Sequence, residues 1–401
     1  MRKKHSLAAV IAIAVLVAGG TTAAAGTTAD GATTAAPDTT GAPDTTASEA
    51  GATIKIGVAG SLSGATAFYG TEAANGVAVA VDELNAAGPH TYEMVAADDE
   101  CTPEGGVAAF GTLIDVEQVT VIIGSPCSGA ALAGMPLASE GAVPMVVASA
   151  TNPQISEQSG VGGNEYTWRM NIGDGEMAEV FAAYIADAGY SDVATIAVNN
   201  DYGRGGVGAY AAQFAEVGIN HAAEEYYTQG SGEFRSQLTN IGASGADAML
   251  IIGAHQDGVV LLRQFAELGL DIAVFARGDL VSQGFRDLAG DDTLGEGLLE
   301  ANNWDSTYAA TPEFAEAYRA MFDHDPLSYA AQAYLATHVV AQAVEAGGPD
   351  REGINAGLAE VSWDSPYGPI EFDDNHQAHH DMFLLGFVNG EIELVERIPV
   401  S

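Results

Sequence analysis

The 401-residue sequence predicts an α/β protein, with two doubly wound parallel-sheet lobes joined by hinge crossovers. Three observations carry this reading. From Ile54 onward, short β-rich runs alternate with segments of helical period, the pattern of strands buried on both faces and linked by helical crossovers. About seven such units precede residue 280, more than one sheet of ordinary size holds, so two sheets in two lobes are expected. The chain is also 47% hydrophobic, which supplies the cores and argues against disorder.

Taken in order, Arg2, Lys3 and Lys4 precede an apolar run from Leu7 to Ala18. That run is too short to span a bilayer and matches the charged and apolar parts of an export signal. Residues 1–25 are read as this signal, with Ala23-Ala24-Ala25 as an A-x-A cleavage site, so the protein is expected outside the cytoplasm, in a periplasm or cell-wall space. A lipoprotein signal is the competing reading, because Leu16-Val17-Ala18-Gly19 looks like the start of a lipobox. Gly20 stands where its cysteine would be, so the lipid anchor lacks its attachment point. Residues 26–53 are rich in Thr, Ala, Gly, Asp and Pro, with near repeats at Ala36–Thr40 and Ala42–Thr46. They cannot bury apolar surface and read as a disordered tether.

Strands are expected at Ile54–Val58, Tyr92–Ala97, Thr120–Ile123, Pro144–Ala148, Thr195–Val198, Ala248–Ile252 and Ala273–Phe275. Helical periods run over Thr71–Ala87, Pro103–Val116, Gly175–Ala188, Gly205–Val217, Phe234–Ile241 and Asp257–Leu268. Near the end, Ile370–Asp373 and Phe383–Val388 read as the two strands of a hairpin whose polar, solvated connection holds His376, His379, His380 and Asp381. The lobes are assigned as 54–171 with 303–383, and 172–302 with 384–401. The chain is expected to cross between them near Asn171, Asn302 and Leu384.

Lys and Arg number 13 against 54 Asp and Glu, a formal charge of −41. Such a chain is repelled by nucleic acid and by anionic lipid surfaces, because binding to either depends on basic residues. A small neutral, cationic or zwitterionic partner remains. With lysine only at positions 3, 4 and 55, the carboxylate-dominated surface suits a screened, saline medium.

Ligands of open α/β sheets sit beyond the carboxyl ends of the strands, which directs attention to the loops there. Gly203, Gly205 and Gly208 satisfy G-x-G-x-x-G after a strand. Four residues, Asn199 to Tyr202, separate the strand from the first glycine, so a ligand-facing loop and helix start fit better than a dinucleotide turn. Cys101 and Cys127 are the only cysteines; in an exported chain two cysteines form a bridge more often than a nucleophile or metal site. The nucleophile reading of Cys127 finds no assignable base. His376 and His380 lie at i, i+4, the spacing of a metal pair on a helix, but the hairpin reading makes them a polar loop, and no metal is expected. Ser128 and Thr151 are hydroxyls at the ends of neighbouring strands. A helix N-terminus there would hold a carboxylate; simple N-caps are the plainer alternative. No G-x-S-x-G elbow surrounds Ser128, so a hydrolase using Ser128 or Cys127 is the weaker class, and no enzyme is expected.

At these residues the chain resembles the branched-chain amino-acid-binding proteins, extracytoplasmic receptors of ABC importers with the type I periplasmic binding fold. The resemblance rests on Ile54-Lys55-Ile56-Gly57, Leu62-Ser63-Gly64, Tyr69-Gly70, Asp98-Asp99-Glu100-Cys101, Cys127-Ser128, Ala150-Thr151-Asn152-Pro153, Tyr202-Gly203 and the segment from Gly368-Pro369 to Phe372-Asp373. It implies a disulfide between Cys101 and Cys127. It implies Ser128 on a ligand carboxylate, Thr151 between the carboxylate and ammonium ends, and the Ser149 carbonyl and Asp279 on the ammonium, with Ala150 between them. Tyr69, Tyr202 and Tyr329 match aromatic positions lining the pocket. Implied partners are an amino acid, branched-chain by default, and the permease and ATPase subunits of an importer; no cofactor is implied, and the protein is expected to be a monomer. One departure is Ala254, where leucine-type receptors place a tyrosine; His255, Gln256 or Asp257 beside it would admit a polar side chain. Polar amino acids, amides, urea-like ligands and a sensor role on the same fold therefore stay open.

Overall fold

The computed structural model describes residues 51–303, 312–366 and 368–400. The expected signal, lipobox and nearly all of the tether lie outside the described residues. The described chain falls within one contact unit, Ala50–Ser401, and Thr53, assigned above to the tether, already belongs to the first strand.

The first sheet holds β1 (Thr53–Gly60), β2 (Thr91–Asp98), β3 (Val121–Gly124), β4 (Met145–Val147) and β5 (Thr167–Arg169), all parallel, in the order β2-β1-β3-β4-β5. β3 and β4 are buried along their whole length, which is why they read as unbroken apolar runs. The second sheet is built on β6 (Asp192–Val198), β7 (Asn220–Tyr227), β8 (Ala248–Ile252), β9 (Ala273–Arg277) and β10 (Leu299–Asn302), again parallel. A small separate hairpin pairs β11 (Ser362–Ser365) with β12 (Gly368–Glu371). β13 (Met382–Val388) and β14 (Glu391–Ile398) then join the second sheet antiparallel, giving the order β14-β13-β10-β9-β8-β6-β7.

The C-terminal hairpin expected from the sequence is therefore corrected. The segment at Ile370 pairs backward with β11 and the one at Phe383 joins β10, so the two lie in different sheets. The residues between them form a passage from one sheet to the other. It ends before Leu384, which sits inside β13. Nor is this passage a solvated loop: His376, Gln377 and His380 are buried. His376 stacks on Trp168 with ring centroids 3.5 Å apart. His379 Nδ1 lies 2.7 Å from Glu176, and Gln377 donates to the Asn171 carbonyl at 2.8 Å. The histidines thus go to separate partners, and the passages after β5 and after β12 are stitched together.

Two helices of the first lobe set up the cleft. Ala67–Ala87 crosses Ser328–Gly347 so closely that a Cβ on Gly76 would sit 1.9 Å from the Ala330 carbonyl oxygen. Only glycine permits that approach. The crossing brings the rings of Tyr69 and Tyr329, near the start of each helix, to a 4.9 Å edge contact.

Candidate functional site

Between the sheets lies a cavity of about 380 Å³, within the range of small-molecule sites. Tyr69, Ser128, Ser149, Ala150, Thr151, Tyr202, Asp279 and Tyr329 all line it. They come from the loops or helix starts that follow β3, β4, β6 and β9 and from the two crossing helices, so the strand-end rule brings most of them together.

The first lobe contributes a helix N-terminus. Ser128 is the first residue of the helix Ser128–Glu140, whose N-cap is Cys127, while Pro153 caps the short helix Gln154–Glu157. Neither Ser128 nor Thr151 is thus an N-cap. Ser128 Oγ accepts from the Asn152 N–H at 3.4 Å, which leaves its proton for the cavity. Thr151 differs from the expected donor: its hydroxyl donates to Asp174 Oδ2 at 2.9 Å and keeps only lone pairs for anything else. The Ser149 carbonyl accepts from Asn171 Nδ2 at 3.1 Å and retains one lone pair. The disulfide between Cys101 and Cys127, with Cα atoms 5.3 Å apart, ties the loop after β2 to the start of this helix.

The second lobe contributes a carboxylate. Asp279 has a positive φ of 63° and follows Gly278 at φ 112°, where a Cβ would stand 1.7 Å from the Gly253 carbonyl oxygen. Gly278 is therefore what lets the chain leave β9 toward the cavity. Asp279 accepts from Asn302 Nδ2 at 3.0 Å and from Ser328 Oγ at 2.7 Å, yet no cation pairs with it among the described residues. Behind it, burial and then the Asp279 charge push the Glu300 carboxyl up to about 7. Burial, with Asp279 adding, also holds the Tyr69 and Tyr329 phenols far above the usual tyrosine range, and burial raises Tyr202 likewise. These rings remain neutral donors.

Contacts across the cleft hold the lobes together. The Thr151–Asp174 bond is one; within the second lobe Asp174 in turn forms a 3.0 Å ion pair with Arg277, both buried, and Arg277 donates to the Ala301 carbonyl at 2.8 Å. Asn152 Nδ2 donates to the Asp201 carbonyl at 2.6 Å. The G-x-G-x-x-G glycines lie inside the helix Asp201–Val217, which starts four residues earlier than expected and is capped by Asn200, so they form no phosphate loop. Of Ala254, His255, Gln256 and Asp257, only Ala254 lines the cavity; the other three open the next helix. The polar lining comes instead from residues that sequence reasoning missed, among them Gln229, Asn303, Ser328 and Gln332.

A two-lobed α/β protein with a cleft lined by polar and aromatic side chains between its two main sheets has the architecture of a small-molecule receptor. The periplasmic binding protein family model matches residues 53–391, and the chain belongs to this family. An amino acid binding protein of Pseudomonas aeruginosa is 27% identical over 82% of this chain and 92% of its own length. A Leu/Ile/Val-binding protein homolog of Brucella melitensis is 29% identical over 80% and 85%. Among solved structures, the branched-chain amino acid transporter substrate binding protein LivJ of Streptococcus pneumoniae, in complex with isoleucine, superposes with a TM-score of 0.77 at 26% identity, covering 86% of this chain and 99% of that one. An ABC transporter solute binding protein of Rhodopseudomonas palustris, in complex with 3,4-dihydroxy benzoic acid, gives 0.77 at 24% identity over 87% and 98%.

Proposed function

We propose that the protein is the extracytoplasmic substrate-binding component of an ABC importer and captures an amino acid as its zwitterion in the cleft. The observation that carries this reading is the Asp279 carboxylate on the second lobe, which accepts hydrogen bonds but has no cation partner among the described residues, set against the Ser128 hydroxyl and helix N-terminus on the first. Acceptors and donors on opposite walls suit a molecule with an ammonium and a carboxylate, and either end left unmatched on burial is costly. An aromatic acid of the kind held by the Rhodopseudomonas protein offers Asp279 a neutral phenol donor at most, whereas an amino acid offers a cation. The names of the relatives put branched-chain amino acids first among those to try.

Among the described residues, the lobes are taken to hinge at the passages after β5 and between β12 and β13. A ligand held by Ser128 and the Ser149 carbonyl gains Tyr202 and Asp279 when the cleft closes, which shifts the population toward the closed form. That form is the one the permease and ATPase subunits would receive. The test is a thermal-shift screen of the 20 amino acids, with benzoates, simple amides and urea alongside. A ligand at about 100 times its dissociation constant stabilises by roughly 2.7 kcal/mol, and absence of a shift with every amino acid would rule the reading out.

A further inference from the structure

Two helix starts meet across the cleft at the edge of the cavity. Asn152, in the first-lobe loop after β4, sends Nδ2 to the carbonyl of Asp201, the first residue of the second-lobe helix Asp201–Val217. Its Oδ1 accepts from the Gln154 N–H of its own lobe at 2.9 Å. Asn152 is 4% exposed, so its amide is enclosed and held at both ends. Gly205 lies one turn beyond Asp201 on the same face of that helix. A Cβ at Gly205 would stand 2.9 Å from Asn152 Cγ, closer than real side chains approach, so the amide seats in a notch that only glycine leaves open. The notch has a softer counterpart: a Cβ on Gly129, in the helix Ser128–Glu140, would press on the Asp201 carboxylate, but Asp201 is exposed and can turn aside. Glycine weakens a helix interior; the notch accounts for it at 205, whereas a Cβ at Gly208 would meet open space. Neither Asn152 nor Gly205 lines the cavity.

We propose that the Asn152 amide seated on Gly205 is a latch, made when the cleft closes, that sets ligand affinity without touching the ligand. Its two halves belong to different lobes, so opening separates them and returns both the amide and the Asp201 carbonyl to water. A closed form deprived of the latch is less populated, and apparent affinity falls in proportion. The latch concerns closure over a ligand and does not depend on which ligand is held.

Calorimetric titration of the intact protein compares wild type with Gly205→Ala, Gly208→Ala and Asn152→Ala. The probe is leucine or, where another amino acid, a benzoate or an amide gives the larger thermal shift, that compound. Gly205→Ala is expected to weaken binding about tenfold, and Gly208→Ala, the same change three residues on, to leave it unchanged. Both replace a helix glycine, so the urea midpoint of the ligand-free protein should fall in neither. Asn152→Ala keeps the backbone N–H that bonds Ser128 and should weaken binding to a similar degree as Gly205→Ala. Adding Gly205→Ala to it should cost nothing further, because the amide that the new methyl would meet is gone. Wild-type affinity in Gly205→Ala, equal losses in Gly205→Ala and Gly208→Ala, or a full further loss in the double variant overturns the latch. A wild-type protein that binds a benzoate or an amide and no amino acid overturns the amino-acid reading alone, and the same variants then decide the latch with that probe.

Discussion

Ser328 Oγ donates to Asp279 Oδ2 at 2.7 Å, joining a first-lobe helix to the loop that leaves β9 in the second lobe. The acceptor end of the cleft is therefore assembled from both lobes. It positions a carboxylate that has hydrogen bonds but, among the described residues, no counter-charge. Asp279→Ala should weaken amino-acid binding by about 10- to 100-fold, the range for a charge-assisted contact, with the far-UV circular dichroism of the ligand-free protein unchanged. Ser328→Ala, which only loosens the carboxylate, should cost a few-fold. Calorimetric titration measures both, and equal affinity in Asp279→Ala would show that the ammonium lies elsewhere.

The Asp174–Arg277 pair is buried on both sides, and Thr151 hydrogen-bonds the same carboxylate. Removing one member strands the other without solvent, so Asp174→Asn or Arg277→Met should each destabilise by about 3–5 kcal/mol in urea unfolding. The double variant should cost less than the sum of the two.

Glu300 gives the stability a pH signature. An unfolded glutamate releases its proton near 4.5, whereas burial and the neighbouring Asp279 hold the folded group to about 7. Between those values the native state binds the extra proton, so this contribution makes stability fall as pH rises from 4.5 to 7. The gain in stability from Glu300→Gln should accordingly grow across that window and level off above it, read by denaturant titration at each pH.

The disulfide closes a loop with a sequence separation of 26. Reduction should cost about 3 kcal/mol on the chain-entropy model. Since Cys127 precedes Ser128, reduction should also weaken binding. Cys101→Ala/Cys127→Ala compared with wild type, with and without reductant, separates the two effects.

The sequence makes the inner strands legible because apolar residues run unbroken through β3, β4 and β8, which are buried on both faces. β5, with three residues, and β7, an edge strand carrying Glu224 and Glu225, lack that signal. The misread hairpin near the C-terminus has a different cause. Ile370 and Phe383 lie in neighbouring β-rich runs, and nothing local says that one joins β11 and the other β10. At the site, Ser128, Thr151, Tyr202 and Asp279 are visible because they follow strands. Asn302 and Asn303, at the end of β10, obey the same rule and would have been found had that strand been read. Asp174, Ser328 and Gln332 stand in helices, where a polar residue facing a cavity looks like one facing water.

Whether the cleft holds both ends of a zwitterion is decided by titrating the best-binding amino acid beside two truncated analogues, the amine without its carboxylate and the acid without its ammonium. Both should bind at least about tenfold more weakly, since each leaves a buried partner unmatched. An acid that binds as tightly as the parent amino acid would contradict the role given to Asp279 and the account built on it.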